Sequence, residues 1–244
     1  GVGATGDNIN NAGTTLGRIG FGYVYPDFNA NFRYTSPSYN GTTVSVGLFD
    51  PSKIASGTGL AETAVTFNGA NLPRIEAELN ISLAQISAGS NLVVSGMYQE
   101  AENAGEVEAE GIHVGGTLVG GAAAFTAHYY SGECLGITLI MDSGALSSDG
   151  KCRDADGYYV QGTYSYGAGK VGVSWGGSYQ DQAGNDGATG FDEKESQEMW
   201  TVGLYHNLAP EWLAVAEYSH AQEDCISHCR RSCALPLLVD WRAH

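Results

Sequence analysis

The sequence predicts an all-β fold, a transmembrane antiparallel up-and-down β-barrel, and three observations carry that prediction. Polar and apolar residues alternate with a period of two along nearly all of the 244 residues, which is the signature of strands with two unlike faces. The alternating segments run to nine to eleven residues, longer than the usual five or six of soluble strands and matched to a tilted crossing of a bilayer. Short turns alternate with long polar loops, as in a meander whose turns share one end and whose loops share the other.

About ten segments show the pattern. NANFRYTSP (29–37) sets Phe32 and Tyr34 against Asn31, Arg33 and Thr35, and TTVSVGLFD (42–50) sets Val44, Val46 and Leu48 against Thr43 and Ser45. RIEAELNISLA (74–84) separates most sharply, with Arg74, Glu76, Glu78 and Asn80 on one parity and Ile75, Leu79, Ile81 and Leu83 on the other. NLVVSGMYQ (91–99), GIHVGGTLV (111–119) and AAFTAHYYS (123–131) follow, placing His113 and His128 on the polar parity of neighbouring strands. GYYVQGTYSYG (157–167), KVGVSWGGSYQ (170–180), MWTVGLYHN (199–207) and EWLAVAEYS (211–219) complete the series. In the last of these Glu217 must face water, which turns Trp212 and Tyr218 the other way.

The short turns are 38–41, 85–90, 120–122, 167–170 and 207–210, and the long, polar or glycine-rich loops fill 50–73, 100–110, 131–156 and 181–198. Alternation alone fits either a soluble sheet packed on a core or a barrel with lipid outside and water inside. Three features favour the barrel. Aromatics sit near the ends of the apolar faces (Tyr98, Tyr129, Tyr158, Tyr166, Trp175, Tyr179, Trp200, Trp212 and Tyr218), as an interfacial girdle requires. The turn asymmetry matches short periplasmic and long external connections. The polar parity lacks large apolar clusters that would supply a second layer.

With 35 Gly, 14 Tyr, only 11 Lys+Arg and a net charge of −16, the chain offers no clustered basic surface for nucleic acid. No run approaches the 18 or so apolar residues of a membrane helix. The chain opens at GVGATGDNINNAG with no initiator Met, basic n-region or apolar h-region, so a fragment is expected.

NFRYTSPSYNGTTVSVGLFDP resembles the sixth and seventh strands of Gram-negative general-diffusion porins, including the Ser-Pro-aromatic-x-Gly turn between them, and TVGLYHNLAPEWLAVAEYSHAQ resembles their penultimate strands. The resemblance implies ten strands, at positions six to fifteen, of a 16-stranded barrel that forms a homotrimer in the bacterial outer membrane. It implies contact with outer-membrane lipid and lipopolysaccharide, and passage of ions and small polar solutes. Residues 1–27 become the remainder of an inward-folding constriction loop that carries Asp7 and Asp27. Arg18 and Arg33 begin the sixth-strand wall, and residues 28–220 are the barrel proper. The pore-lining set is then Asp7, Arg18, Asp27, Arg33, Arg74, Glu76, Glu78, His113, His128 and Glu217. Lumenal carboxylates outnumber arginines, which predicts a mild cation preference. The alternatives are a substrate-specific channel, for which Tyr130 and Tyr159 would form a slide, and a non-channel adhesin or secreted β-protein.

Residues 221–244 depart from that family. After Glu223 the alternation stops, Cys225, Cys229 and Cys233 crowd together, and the chain ends in His244 rather than an aromatic. The segment reads as a frameshift or truncation product. A zinc site there lacks paired knuckles. GVGATG has no preceding strand or following helix, so it is no dinucleotide loop. Cys134 and Cys152 flank one external loop in an oxidising location and are candidates for a disulfide. No cofactor is expected beyond calcium held loosely at external acidic loops such as DQAGNDGATGFDE (181–193). Glu76 and Glu78 share one face of one strand and do not oppose each other as glycosidase carboxylates do, so no catalytic set is expected.

Overall fold

The computed structural model describes residues 18–56, 66–102, 105–141, 144–186, 194–210, 212–225 and 230–243, and after Asp224 the backbone alone. Thirteen strands follow in chain order. They are β1 (Asn31–Thr35), β2 (Thr42–Phe49), β3 (Ile54–Ala55), β4 (Thr66–Phe67), β5 (Arg74–Ser82), β6 (Asn91–Glu102), β7 (Glu106–Gly120), β8 (Ala123–Glu133), β9 (Asp154–Tyr166), β10 (Gly169–Gln180), β11 (Lys194–Ala209), β12 (Trp212–Cys225) and β13 (Arg230–Ala243). Eleven form one antiparallel sheet in sequence order, while β3 and β4 pair separately within the β2–β5 loop. The described sheet is not closed: β1 and β13 are its edges.

The two-residue alternation decides which way each strand faces. On one face Val46, Leu48, Ile112, Val114, Leu118, Phe125, Val173 and Leu204 remain exposed, with Ile112 at 60% and Val173 at 54%. No other layer covers them. The other face carries Ser45, Glu76, Glu78, Ser95, His113 and Thr201. On the apolar face Tyr158 contacts Trp175 and Tyr179, and Trp200 contacts Tyr218, with ring centroids 5.3–6.1 Å apart, while Trp175 and Trp200 are cross-strand partners. The β1–β2 turn is Asn40-Gly41, with φ of 50° and 80°. Left-handed backbone at both central residues is what a two-residue hairpin needs to match strand twist.

All ten expected strands appear, with three departures. Residues 100–102 and 106–110 are strand rather than loop. β6 and β7 stay paired to Glu102↔Glu106, because Ala101 and Ala109 are buried on the inner side while Glu100, Glu108 and Glu110 point outward, above the apolar band, where water accepts them. The end of β8 and start of β9 likewise extend into 131–156, and the loop between them folds inward instead of outward. Finally, the stretch after Glu223 pairs. β12 runs to Cys225, and β13 lies against it with a register shift opposite Glu217/Ser219 that leaves Pro236 unpaired. A sheet edge offers a row of free N–H and C=O groups that any extended segment can satisfy, whatever its side-chain pattern, and proline is tolerated at a bulge because it has no N–H to give.

Candidate functional site

Two segments enter the space on the polar face. The first is residues 18–25, which lie on the inner wall of β9–β12. Arg18 donates from Nη1 to Thr201 Oγ1 at 2.8 Å and from Nη2 to the Met199 carbonyl at 2.9 Å, and its guanidinium lies 5.3 Å over the Tyr159 ring. Phe21 packs with Met199 and Ala221, and the Gly22 amide donates to Ser178 Oγ at 3.0 Å. Close seating depends on missing side chains. A Cβ on Gly176 would stand 2.5 Å from the Phe21 carbonyl oxygen, and one on Gly22, at φ +102°, would stand 2.3 Å from that of Tyr158.

The second is the β8–β9 loop, residues 134–153. Its apolar run Leu135–Met141 lies as a tongue along the inner face of the sheet, from Leu135 beside Tyr130 to Met141 beside Ile54. Gln197 of β11 donates from Nε2 to the Ile137 carbonyl at 2.9 Å. The inserted segment and the tongue pair directly: the Tyr25 amide donates to Thr138 O and the Ile140 amide to Tyr25 O, each at 2.9 Å. Beneath the mouth, Ile54, Phe67, Cys134, Met141, Ala145 and Leu146 form a buried cluster against Ala101 and Ala109. Cys134 and Cys152 are disulfide-bonded, with Cα atoms 4.7 Å apart. Arg153 and Asp186, with side chains 0% and 1% exposed, form a two-pronged ion pair at 2.8 and 2.9 Å that ties the tongue to the β10–β11 loop.

The wall facing the tongue holds a cross-strand row, Glu78↔Ser95↔His113↔Tyr130, beside Arg33 and Glu76. Arg33 pairs with Glu78 at 3.4 Å. His113 Nε2 and His128 Nδ1 lie 2.8 Å apart with stacked rings, and the absence of a side chain at Gly115 makes room for His128. That hydrogen bond needs one N–H and one lone pair, so the accepting imidazole is neutral. Arg33, Glu76, Glu78 and His113 line one cavity of about 250 Å³ together with Val24, Leu135 and Ile140.

Other expected lining residues have different places. Arg18 is not on a strand wall. It sits on the inserted segment and reaches the far side of the lumen, because the strand begins only at Asn31 and Thr201 with the Met199 carbonyl offers the guanidinium its partners. Arg74 is 2% exposed, bonded to Ser52 Oγ at 2.7 Å and paired with Glu76 at 2.9 Å, so it anchors the β2–β5 loop. Glu217 faces inward but is 5% exposed and accepts the Tyr205 hydroxyl. Asp27 is exposed and forms no ion pair among the described residues. Asp7 lies outside the described residues, as do the side chains of Cys225, Cys229 and Cys233 and residues 187–193 of the acidic loop. Tyr130 is 7% exposed and packs with Leu135, and Tyr159 is covered by Arg18, so neither is an open slide. Sequence reasoning missed Leu135, Ile137, Ile140, Arg153 and Asp186. The signal was the apolar run LGITLIM inside a supposedly solvated loop.

The family model for Gram-negative porins matches residues 1–224. Among solved structures, the outer membrane channel DcaP of Acinetobacter baumannii aligns with a TM-score of 0.74 at 14% identity, over 95% of this chain and 67% of that one. The anion-selective porin from Comamonas acidovorans aligns at 0.54 and 11% identity, over 87% and 58%. A further porin aligns at 0.52 and 13% identity, over 78% and 55%. At these identities the likeness is one of fold, and the chain spans little more than half the length of the latter two. No curated protein matches the chain. An apolar-outside, polar-inside meander narrowed by inserted segments, and matched by the family over nine-tenths of its length, has one reading: the chain belongs to the Gram-negative porins, β-barrel channel proteins of the bacterial outer membrane.

Proposed function

We propose that the chain walls a passive diffusion pore for ions and small hydrophilic solutes, with no chemical step. The observation that carries this reading is the pair of inserted segments, residues 18–25 and the tongue, narrowing a polar-faced passage behind a wall whose outer face suits only lipid. Solutes pass between Arg33, Glu78 and His113 on one side and the tongue on the other, sieved by width and by charge. Arg33 and Arg74 are both ion-paired. Arg18 lies within electrostatic reach of the buried Glu217 and offsets it, so the exposed Asp27 remains as surplus negative charge, and a mild preference for cations follows. A homotrimer, neighbouring lipopolysaccharide and calcium held loosely at the external acidic loops belong to the same reading.

Vesicle swelling with sugars of increasing size tests the pore. Swelling should slow steeply as solute size rises, and vesicles that swell no faster than protein-free ones would refute the reading. Reversal potentials in a salt gradient test the charge preference, and an anion-selective sign would overturn it.

A further inference from the structure

The cavity between the wall and the tongue has two unlike sides. Arg33, Glu76 and Glu78 stand on one, where Phe49 and Met97 also border it, and the half-buried Val24 and Ile140 on the other. A passage for hydrated ions alone gains nothing from an apolar side, since water held against it has no hydrogen bonds to make there. A site for hydrocarbon alone has no use for accessible charges. Here both charges are accessible: Arg33 and Glu78 are 48% and 38% exposed and meet at only 3.4 Å. Such an exposed pair is weak, and its members exchange partners readily.

We propose that this cavity is a binding station for small zwitterions with an apolar body, the chemistry of a neutral apolar amino acid. The solute carboxylate takes Arg33, its ammonium takes Glu78 with Glu76 alongside, and its body covers the half-buried Ile140 and Val24. Inserting a zwitterion into the Arg33–Glu78 pair replaces one loose contact by two charge-assisted ones, while the body removes apolar surface from water. A solute with only one charge leaves either Arg33 or Glu78 without gain, and a polar zwitterion leaves the tongue wet. At about 250 Å³ the cavity is at the small end of ligand pockets and takes one such molecule at a time. Binding is weak enough for release, as conduction requires. The proposal rests on the pore reading above.

Single-channel currents in planar bilayers test it, with four solutes of similar size: leucine, glutamine, 4-methylpentanoate and 3-methylbutylamine. Leucine should interrupt the current at a concentration roughly tenfold lower than any of the other three, about the effect of one added favourable contact. Ile140→Thr should bring leucine to the level of glutamine, and Arg33→Gln should bring it to the level of the amine. Arg33 is exposed, and Ile140 is only partly buried at the margin of the Ile54–Met141 cluster, so neither change empties that cluster. An open channel that responds equally to all four solutes overturns the proposal, and so does one on which the carboxylate alone acts as strongly as leucine. A protein that inserts and carries no current overturns the pore reading itself and the station with it, so the two failures look different.

Discussion

Asp186→Asn isolates the contact that locks the tongue in place. In the wild type the Asp186 carboxylate accepts from Arg153 Nε at 2.9 Å, from Arg153 Nη2 at 2.8 Å and from the Ala183 amide at 2.9 Å. Both side chains are essentially out of water, so solvent screening takes little away. The amide keeps the shape but removes the charge and turns an NH2 toward donors. Breaking a buried pair from one side costs about 3–5 kcal/mol, because the remaining charge stays buried uncompensated. At about 1.4 kcal/mol per factor of ten, the open state of the loop should gain roughly 10²–10⁴-fold. Hydrogen exchange read by mass spectrometry on peptides from 134–153 measures this directly. The Cys134 and Arg153 amides, which donate to Arg153 O and Ala145 O, should lose protection while β6 and β7 keep theirs. Replacing both partners, Arg153→Met with Asp186→Leu, should restore most of the protection, since a buried pair is worth little net. Protection unchanged within about threefold in Asp186→Asn, at 10-fold per 1.4 kcal/mol, would refute the reasoning.

The same pair sets a pH dependence. Burial pushes the Asp186 carboxyl upward, but the Arg153 and Ala183 donors and the Arg153 charge outweigh it, and the net direction is downward. A carboxyl depressed on folding adds stability above its unfolded value, near 3.9, and loses it as pH falls through its folded value. Tongue protection should therefore be flat from about pH 5 to 8 once intrinsic exchange is corrected, and should fall on acidification below about pH 4. A loss between pH 6 and 8 would point to another group.

Arg18→Ala removes two charge-assisted hydrogen bonds, each worth about 1.5–3 kcal/mol; the inserted segment should loosen and unit conductance rise, and an unchanged conductance would mean that Phe21 and Gly22 suffice to hold it. Cys152→Ser frees a loop closed by a disulfide with a sequence separation of 18, a constraint worth about 3 kcal/mol, so the current should become noisier and the tongue should exchange faster, and reductant should do the same to the wild type only. Val173→Arg, placed in lipid, should cost about 2–4 kcal/mol and lower the temperature at which the barrel unfolds on gels, whereas Ser174→Arg, one residue along and facing inward, should change conductance far more than stability. Equal destabilisation by the two would sink the assignment of faces.

What the sequence by itself determined is whatever depends on a period of two. Ile75 and Glu76 take opposite sides because successive side chains on a pleated strand must, and no partner strand is needed to know it. Strands joined by turns as short as Asn40-Gly41 have no neighbour but the next for the same local reason, whereas the long β2–β5 and β8–β9 connections leave that pairing to the folded sheet. Arg33, Glu76, Glu78 and His113 were legible as one polar face for that reason. What lay beyond sequence was any position set by contact across the lumen. Arg18 meets Thr201 across 183 residues, and Tyr25 meets Leu139. Nothing in local pattern ranks those partners above others. The tongue shows the reason most clearly. An apolar loop is unfavourable in water, but whether it turns inward depends on Ile54 and Phe67 offering it a surface and on Asp186 compensating Arg153. Alternation is dictated by backbone geometry one residue at a time, whereas the constriction comes from burial and charge pairing among segments that only the folded barrel brings together.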